Sequence, residues 1–148
     1  MMEYSDEARK YLTEACEGDP PDVYLDPLGI PTGGYGHTKG LTKDDVGNFV
    51  FPSQADVWLK QDIQESVDAV NKYCTVKLSQ HQFDALVDFA FNCGAGNLEH
   101  STLLKKVNDQ DFAGADEEFG RWVNGGGHRL PGLVKRRALE AAWFNTGD

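Results

Sequence analysis

Apolar residues recur at helical spacing at the start of the chain and through most of its second half. Residues 5–17 place apolar side chains at i, i+3, i+4 and i+7, with acidic residues in the first turn, which predicts an amphipathic helix. The stripe consists of Ala8, Tyr11, Leu12 and Ala15. Ser5 or Asp6 can cap this helix, and Gly18, followed by the Pro20–Pro21 pair, predicts its end.

Helical spacing is lost between about residues 18 and 50, where short extended pieces alternate with glycine and proline. The segments VYL (23–25) and IPTGGYGH (30–37) are typical of β-strands. The intervening DPLG has Pro27 at its second position and predicts a tight turn. Together they predict a small antiparallel sheet.

Helical spacing resumes after Pro52, with Ser53 as a possible N-cap. The predicted apolar face of this helix is Leu59, Ile63, Val67 and Val70. A second helix is predicted from Ser79, because Ser79 and Gln82 form a capping box. Its apolar stripe is Phe83, Leu86, Val87, Ala90 and Phe91. Three further amphipathic helices are predicted at 101–107, 111–123 and 133–144, with NGGGHRLPG (124–132) as a loop.

This order of one helix, a small sheet and a run of helices predicts an α+β fold in one domain spanning 1–148. The β-sheet lobe is expected at about 18–50 and a mainly helical lobe at 1–17 and 53–148. A cleft between the two lobes is the expected place for a ligand.

Composition and charge narrow the possible partners. With 40% hydrophobic residues in 148, the chain can bury a core. The formal net charge of −10 argues against binding to nucleic acid, which requires a basic surface. Six cations of the C-terminal third are candidates for a local positive patch. They are Lys105, Lys106, Arg121, Lys135, Arg136 and Arg137.

The cysteines and the N-terminus predict a chain that folds in a cytoplasm and carries no export signal. Cys16, Cys74 and Cys93 are an odd number at no metal-ligand spacing, which indicates reduced thiols, no metal site and no cofactor. The N-terminal MMEYSDEARKYLTEAC is polar and lacks the apolar segment of a signal peptide. No run is long enough for a transmembrane helix, so no stable membrane insertion is expected. We expect a monomer.

Two carboxylates and a threonine stand out in the glycine-rich and proline-rich segment. Glu17 lies in the last helical turn, where the helix dipole disfavours a negative charge, and a carboxyl that keeps its proton suits a general acid. Asp26 lies at the end of a predicted strand, and Thr32 on the returning strand can hold a water beside it. Paired carboxylates, one protonated and one ionised, cleave glycosidic bonds. Spacing alone leaves open a pair of solvated acids on a hairpin.

The spacing Glu-x8-Asp-x5-Thr within this segment resembles the phage-type lysozymes (endolysins) of glycoside hydrolase family 24. Their signature is Glu-Gly at the end of the first helix, then Tyr-x-Asp-x-x-Gly-x-x-Thr-x-Gly-Tyr-Gly-His-Thr. The matching positions are Glu17, Gly18, Tyr24, Asp26, Gly29, Thr32, Gly34, Tyr35, Gly36, His37 and Thr38. Similarity continues through LSQHQFDALVDFAFNCGAGNLEHSTLLKKVN, GADEEFGRW and GLVKRRALEAAWF, so it covers nearly the whole chain.

The resemblance implies a muramidase that hydrolyses the β-1,4 bond between N-acetylmuramic acid and N-acetylglucosamine in peptidoglycan. Glu17 is then the general acid, Asp26 activates water and Thr32 positions that water. The family is described as inverting, which predicts carboxyl groups roughly 6.5–9.5 Å apart. The implied setting is lysis of a phage-infected cell, in which the protein accumulates in the host cytoplasm and reaches the wall through a membrane pore.

The resemblance assigns further residues. Phe91, Asn92 and Ser101 fall where the family lines the sugar-binding cleft, although Phe91 also fits core packing. His37 is expected to be structural, with Asp62 as its partner. Gly33 departs from the family, which more often has a bulky apolar residue there, and glycine at this position is expected to loosen the sheet by roughly 0.5–1 kcal/mol.

Two other functions remain open from the sequence. A lytic transglycosylase of the same fold needs an acid/base glutamate but no water-activating aspartate, so Asp26 and Thr32 favour hydrolysis. An inactive module that only binds the cell wall is the second alternative, and the presence of Glu17, Asp26 and Thr32 argues against it.

Overall fold

The first helix of the computed structural model, which describes residues 1–146, contains a π-helical stretch. It consists of α1 (Asp6–Ala8), the π-helical residues Arg9–Glu14, and α2 (Ala15–Glu17). Ser5 is the N-cap, and its hydroxyl oxygen accepts a hydrogen bond from the backbone N–H of Ala8. The predicted helix at 5–17 is therefore confirmed.

The π-helical stretch changes which residues of this helix are buried. Ala8, Leu12 and Thr13 are buried, whereas Tyr11 is 63% exposed and Ala15 is exposed. Because π-helical hydrogen bonds join residues five apart, positions four and five apart share a face. The predicted stripe is therefore correct at Ala8 and Leu12 and wrong at Tyr11 and Ala15.

A two-stranded hairpin follows the first helix. Strands β1 (Tyr24–Leu25) and β2 (Pro31–Thr32) are antiparallel, with Tyr24 opposite Thr32. The predicted strand at 30–37 is wrong after Thr32, because Gly33 and His37 exchange backbone hydrogen bonds of 3.0 and 2.9 Å and close a tight loop. Gly34 in this loop has φ +63°, a conformation that favours glycine.

Helices form most of the remaining chain. A short 3₁₀ helix at Lys43–Asp45 precedes them. They are α3 (Pro52–Tyr73), α4 (Gln80–Cys93), α5 (Ala95–Glu99), α6 (Thr102–Asn108), α7 (Phe112–Phe119) and α8 (Pro131–Asn145). The capping box of Ser79 and Gln82 is confirmed at the start of α4. The predicted apolar face of α3 is also confirmed, since Leu59, Ile63, Val67 and Val70 are all buried.

Several predicted boundaries need correction. Helix α3 begins at Pro52, so Ser53 lies inside it rather than capping it. The helix predicted at 111–123 ends at Phe119, and α5 was not predicted. The predicted loop at 124–132 contains a second hairpin, β3 (Asn124–Gly125) with β4 (His128–Arg129). Its turn is formed by two glycines with positive φ, which allow a two-residue connection.

The chain divides into two compact units, residues 14–64 and residues 1–13 with 65–148. In the first unit, Val23, Val50 and Ala55 form an apolar cluster against which Tyr35, Leu41 and Trp58 pack. In the second unit, α4 packs against α8 and α6 packs against α7. Within residues 1–146, every helix is too short or too polar to cross a lipid bilayer. Cys16, Cys74 and Cys93 are free thiols.

Gly33 lies directly beneath the apolar cluster of the first unit. A Cβ atom at this position would lie 3.1 Å from Val23 Cγ2 and 3.3 Å from Val50 Cγ2. These distances are tighter than ordinary van der Waals contact. Gly33 therefore allows a close approach of the backbone to these side chains, rather than loosening the sheet.

We expect Gly33→Ala to lower the free energy of unfolding by about 1–2 kcal/mol, because the two valines must move. Gly96→Ala in α5 is the control, since a Cβ there meets nothing within 4 Å. That control is expected to raise stability by up to about 1 kcal/mol. Urea denaturation measures the free energy of unfolding of both variants. Equal changes in the two variants would contradict the close packing at Gly33.

The second unit contains a buried polar network around Asp88. The Thr13 hydroxyl donates to Asp88 Oδ1 (2.7 Å), and Thr13 also shares a hydrogen bond with the Tyr4 hydroxyl (2.6 Å). Arg136 donates to both oxygens of Asp88 from Nε (3.0 Å) and Nη2 (2.8 Å). Burial raises the pKa of Asp88, but hydrogen bonds from Glu140 and Arg136 and the charge of that arginine outweigh it. The pKa is about 2.

Glu140 and Arg137 extend this network. Arg137 Nη2 donates to Glu140 Oε2 (2.8 Å), and both side chains are fully buried. Burial and the neighbouring Asp88 carboxyl raise the pKa of Glu140 well above its ordinary value, although Arg137 lowers it. Asp88 is therefore ionised near neutral pH, and Glu140 retains its proton more readily than an exposed glutamate.

The positive patch expected from six C-terminal cations is not formed. Arg136 and Arg137 are buried in the network, and three others form ion pairs with nearby carboxylates: Lys105–Asp109, Lys106–Asp111 and Arg121–Glu118. Among the described residues, only Lys135 of the six has no carboxylate partner. The prediction is wrong because close carboxylates neutralise the cations.

Candidate active site

Glu17 is the last residue of α2 and is exposed. Gly18 follows it with φ +77°, and its backbone N–H donates to the Glu14 carbonyl (3.0 Å). The glycine ends the helix at this point, as the sequence predicted. The Glu17 carboxyl therefore lies at the carbonyl end of a helix, where the dipole disfavours negative charge.

Asp26 is held by the turn that joins β1 to β2. Its Oδ1 accepts hydrogen bonds from the backbone N–H groups of Leu28 and Ile30, both at 2.8 Å. The Gly29 N–H donates to the Asp26 carbonyl (2.8 Å), which confirms the predicted turn. Among the described residues no hydrogen bond reaches Asp26 Oδ2. The carboxyl group is thus fixed through one oxygen, and the other can bind water.

Thr32 lies on the same face of the hairpin as Asp26. The Asp26 N–H donates to the Ile30 carbonyl (3.0 Å), and Tyr24 pairs with Thr32, so Asp26 and Thr32 occupy diagonal positions. The Thr32 side chain is buried, and its hydroxyl donates to the Ile30 carbonyl (2.9 Å). Because that bond uses the hydroxyl proton, Thr32 Oγ1 is available to a water only as an acceptor.

His37 is held between an acid and an aromatic ring. Its Nδ1 lies 2.8 Å from Asp62 Oδ2, the partner expected from the sequence. The ring stacks on Trp58, with centroids 4.3 Å apart and planes at 10°. The sequence reasoning did not identify Trp58, although Trp58 and Asp62 are four residues apart on α3 and so share a face. A structural role for His37 stays a prediction.

We expect Asp62→Ala to lower the free energy of unfolding by about 1–3 kcal/mol, because it leaves a buried imidazole without its hydrogen-bond partner. If His37 and Asp62 are structural, turnover at a permissive temperature changes by less than about threefold, far below a general acid's contribution. A double-mutant cycle with His37→Ala measures the coupling between the two side chains. A large loss of turnover in a folded Asp62→Ala protein would contradict the structural role.

Tyr35 and Glu14 form a second contact that the sequence reasoning missed. The Tyr35 hydroxyl donates to Glu14 Oε1 (3.2 Å). Burial and the Glu14 carboxylate raise the pKa of Tyr35 to about 12, so its hydroxyl stays protonated. Glu14 precedes Glu17 by three residues, a spacing that could have indicated a shared helix face.

The three predicted sugar-binding residues lie in the second unit. Phe91 is partly exposed, whereas Phe83, Leu86, Val87 and Ala90 of the same predicted stripe are buried. Asn92 Oδ1 accepts a hydrogen bond from Arg137 Nη2 (2.8 Å). Their contact with sugar stays a prediction.

Ser101 is the N-cap of α6. Its hydroxyl donates to the Leu98 carbonyl (2.7 Å) and accepts from the Leu104 N–H (2.9 Å). The cap thus occupies the hydroxyl proton and one lone pair, leaving one lone pair for a ligand. Residues 1–146 contain no group of three or more His, Cys, Asp or Glu side chains that could hold a metal ion.

The helices and small antiparallel sheet define a lysozyme-like fold. The muramidase domain of SpmX from Asticaccaulis excentricus superposes with a TM-score of 0.91 and 32% identity, over 99% of this chain and 100% of that one. Residues 14–140 match the family model for phage lysozyme, and the chain belongs to the phage lysozyme family. The resemblance seen in the signature is confirmed.

Two endolysins are similar in sequence. The endolysin of Acyrthosiphon pisum secondary endosymbiont phage 1 is 41% identical over 139 residues, covering 91% of this chain and 93% of that protein. The endolysin of Bacillus phage B103 is 41% identical over 142 residues, covering 92% of this chain. Our chain spans about half of the phage B103 protein, 49% of its length.

Proposed function

We propose that this protein is an endolysin that hydrolyses the β-1,4 bond between N-acetylmuramic acid and N-acetylglucosamine in peptidoglycan. The observation that carries the proposal is the hairpin, on which Asp26 and Thr32 share one face. Asp26 is fixed through Oδ1, and Thr32 Oγ1 can only accept. Membership of the phage lysozyme family and the endolysin relatives support the substrate class.

Each side chain has one role in the proposed reaction. Glu17 donates its proton to the leaving glycosidic oxygen. A water donates one hydrogen to Asp26 Oδ2 and the other to Thr32 Oγ1, so its lone pair is free to attack the anomeric carbon. Asp26 then takes the proton of that water. The attack inverts the anomeric centre, which needs roughly 6.5–9.5 Å between the Glu17 and Asp26 carboxyl groups.

The same observation distinguishes hydrolysis from the transglycosylase alternative. A transglycosylase uses the sugar's own hydroxyl and has no use for a water site. A carboxylate fixed through one oxygen, on the same hairpin face as an acceptor-only hydroxyl, suits the binding of a water. Hydrolysis is therefore the better-supported reaction, and an inactive wall-binding module has no need of either group.

The proposed setting is lysis of a phage-infected bacterium. The protein acts as a monomer, without a cofactor or metal, accumulates in the host cytoplasm and reaches the wall through a membrane pore. Its macromolecular partner is peptidoglycan, whose glycan strand it cleaves, and the net charge of −10 argues against non-specific binding to nucleic acid.

Analysis of the reaction products tests this proposal. Digestion of purified peptidoglycan is expected to release muropeptides with reducing ends, because water is the nucleophile. NMR during the first minutes is expected to show the α-anomer, the product of inversion. Products with 1,6-anhydro ends would show transglycosylation instead, and a β-anomer would contradict the proposed water. Untreated walls and walls digested with a retaining lysozyme are the controls.

A further inference from the structure

A groove in the second unit is lined by two cations and no acidic residue among the residues that the structure describes. Arg129, Pro131, Val134 and Lys135 line an open groove of about 410 Å³, called here the basic groove. None of these described lining residues is acidic. Arg129 and Lys135 are exposed, and neither has a carboxylate partner among residues 1–146.

The neighbouring cations show how unusual this pair is. From residue 100 to residue 146, every other arginine and lysine lies within ion-pair distance of an aspartate or glutamate, and the partner of Arg137 is Glu140, whose pKa is raised. With a net charge of −10, an unpaired cation in this protein is surrounded by a surplus of possible partners. Two cations lining one groove without a carboxylate therefore make a local positive site.

The start of α8 adds to the positive potential. Leu130 is its N-cap and provides no side-chain hydrogen bond, and the first turn contains no acidic residue. No acidic side chain therefore offsets the positive end of the helix dipole here, although Pro131 has no N–H and the Leu133 N–H is already bonded to the Leu130 carbonyl. Pro131 is one turn from Val134 and Lys135, so these three side chains share a helix face.

The backbone fixes the position of Arg129. The residue pairs with Asn124 in the second hairpin, and the next residue, Leu130, donates its N–H to the Val123 carbonyl (2.9 Å). The Leu130 carbonyl then accepts from the N–H groups of Leu133 and Val134 at 3.1 and 3.0 Å. Arg129 is thus held between a strand pair and a helix N-terminus.

The hairpin is also packed onto α8. A Cβ at Gly125 would contact the side chains of Leu130 and Leu133, so this glycine lets the strand lie close to the helix start. The backbone that carries Arg129 is therefore packed closely against the start of α8.

We propose that the basic groove binds the peptide stems of peptidoglycan through their carboxylates, an inference that rests on the proposed function. These stems are short peptides attached to the muramic acid, and they contain alanine, a glutamic acid residue and a diamino acid, with free carboxylates. Arg129 and Lys135 match the carboxylates, and the apolar floor of Pro131 and Val134 matches methyl side chains. A polyphosphate such as teichoic acid matches the charge but not the apolar floor, so the stems are the better fit.

Binding to purified walls tests this proposal without any need for hydrolysis. The probe protein carries Glu17→Gln, and cosedimentation with intact walls is measured at low ionic strength. Adding Arg129→Gln and Lys135→Gln together is expected to reduce affinity about five- to tenfold, as expected for two charge contacts in a partly apolar groove. Lys60→Gln with Lys77→Gln is the matched control, since both lysines are exposed and neither forms an ion pair within residues 1–146, and it is expected to change affinity less than twofold.

Two wall treatments identify the source of the carboxylate or phosphate. Removing the stems with an amidase is expected to abolish the difference between the groove variant and its parent, whereas removing teichoic acid is expected to leave it. The proposal would be overturned if the difference in affinity disappeared only when teichoic acid was removed. It would also be overturned if the control pair of substitutions reduced affinity as much as the groove pair. Arg129→Lys, which keeps the charge, is expected to retain binding, and thermal melting verifies that each variant is folded. Wall binding is measured separately from bond cleavage. A protein that failed to hydrolyse peptidoglycan would therefore not, for that reason, give either of these binding results.

Discussion

Glu17→Gln is expected to reduce the rate of peptidoglycan hydrolysis by a factor of about 10²–10⁴, the usual contribution of a positioned general acid. Glutamine has nearly the same shape as glutamic acid but has no acidic proton to give to the leaving oxygen. The fall in turbidity of purified cell walls measures the rate. Since Glu17 is exposed, the substitution is expected to leave the fold intact.

The matched control for this experiment is Glu7→Gln, which removes a carboxylate from the first turn of the same helix. Its clearing rate is expected to stay within about twofold of wild type, because surface substitutions away from a site have small effects. Thermal melting of each variant verifies the fold. If Glu17→Gln cleared walls as fast as wild type, Glu17 would not be the acid, even if the protein proved to be a hydrolase.

Asp88→Asn is expected to lower the free energy of unfolding by about 3–5 kcal/mol, the cost of breaking a buried ion pair. The substitution removes the negative charge that Arg136 Nε and Nη2 contact, and it replaces one oxygen of that carboxylate with an NH₂ group that cannot accept a hydrogen bond. Urea denaturation at pH 7 measures the change. No direct effect on the chemical step is expected, because none of these side chains is among the proposed catalytic residues.

Glu140→Gln is the matched comparison for Asp88→Asn. The pKa of Glu140 is raised by burial and by Asp88, so a neutral glutamine resembles the protonated side chain and still offers a donor to Asp88. We expect a loss of only about 1 kcal/mol, the value of a typical hydrogen bond. A loss as large as that of Asp88→Asn would show that Glu140 is ionised beside Arg137.

The pKa shifts of Asp88 and Glu140 predict that the stability of the fold changes with pH in opposite directions for the two residues. The Asp88 pKa of about 2 lies below its ordinary value of 3.8, so its contribution is present above about pH 4 and is lost as the pH falls toward 2. The raised pKa of Glu140 contributes stability below its ordinary value of 4.5, and this is lost as the pH rises through the raised value. Glu140→Gln is therefore expected to remove the fall in the free energy of unfolding that occurs as the pH rises, and to leave the fall at acidic pH unchanged.

The positions of the proposed catalytic residues were largely readable from the sequence, because local interactions set them. The end of the helix at Glu17 depends on Gly18, and the orientation of Asp26 depends on hydrogen bonds within five residues. Both arise from short-range preferences of turns and helix ends. The acceptor-only state of Thr32 was not readable, since it depends on which carbonyl its hydroxyl meets.

The predicted positive patch of six basic residues was wrong. Six cations in the C-terminal third suggested a patch, but the packing of α4 against α8 buries Arg136 and Arg137, and nearby carboxylates neutralise three more. The sequence predicts a loop at the second hairpin, because the strands are only two residues long and the segment is rich in glycine. As a result, the sequence indicated Lys135 but gave no reason to consider Arg129 with it.

The features readable from the sequence are those whose hydrogen bonds close within a few residues: the helix end at Gly18, the capping box at Ser79 and the DPLG turn. Two features appear only in the folded structure, because they join distant residues: the close approach of Gly33 to Val23 and Val50, and the pairing of Asp88 with Arg136, 48 residues apart. The difference lies in how far apart along the chain the interacting residues are. A turn or cap selects its residues through its own backbone, whereas burial and ion pairing depend on which distant elements come into contact.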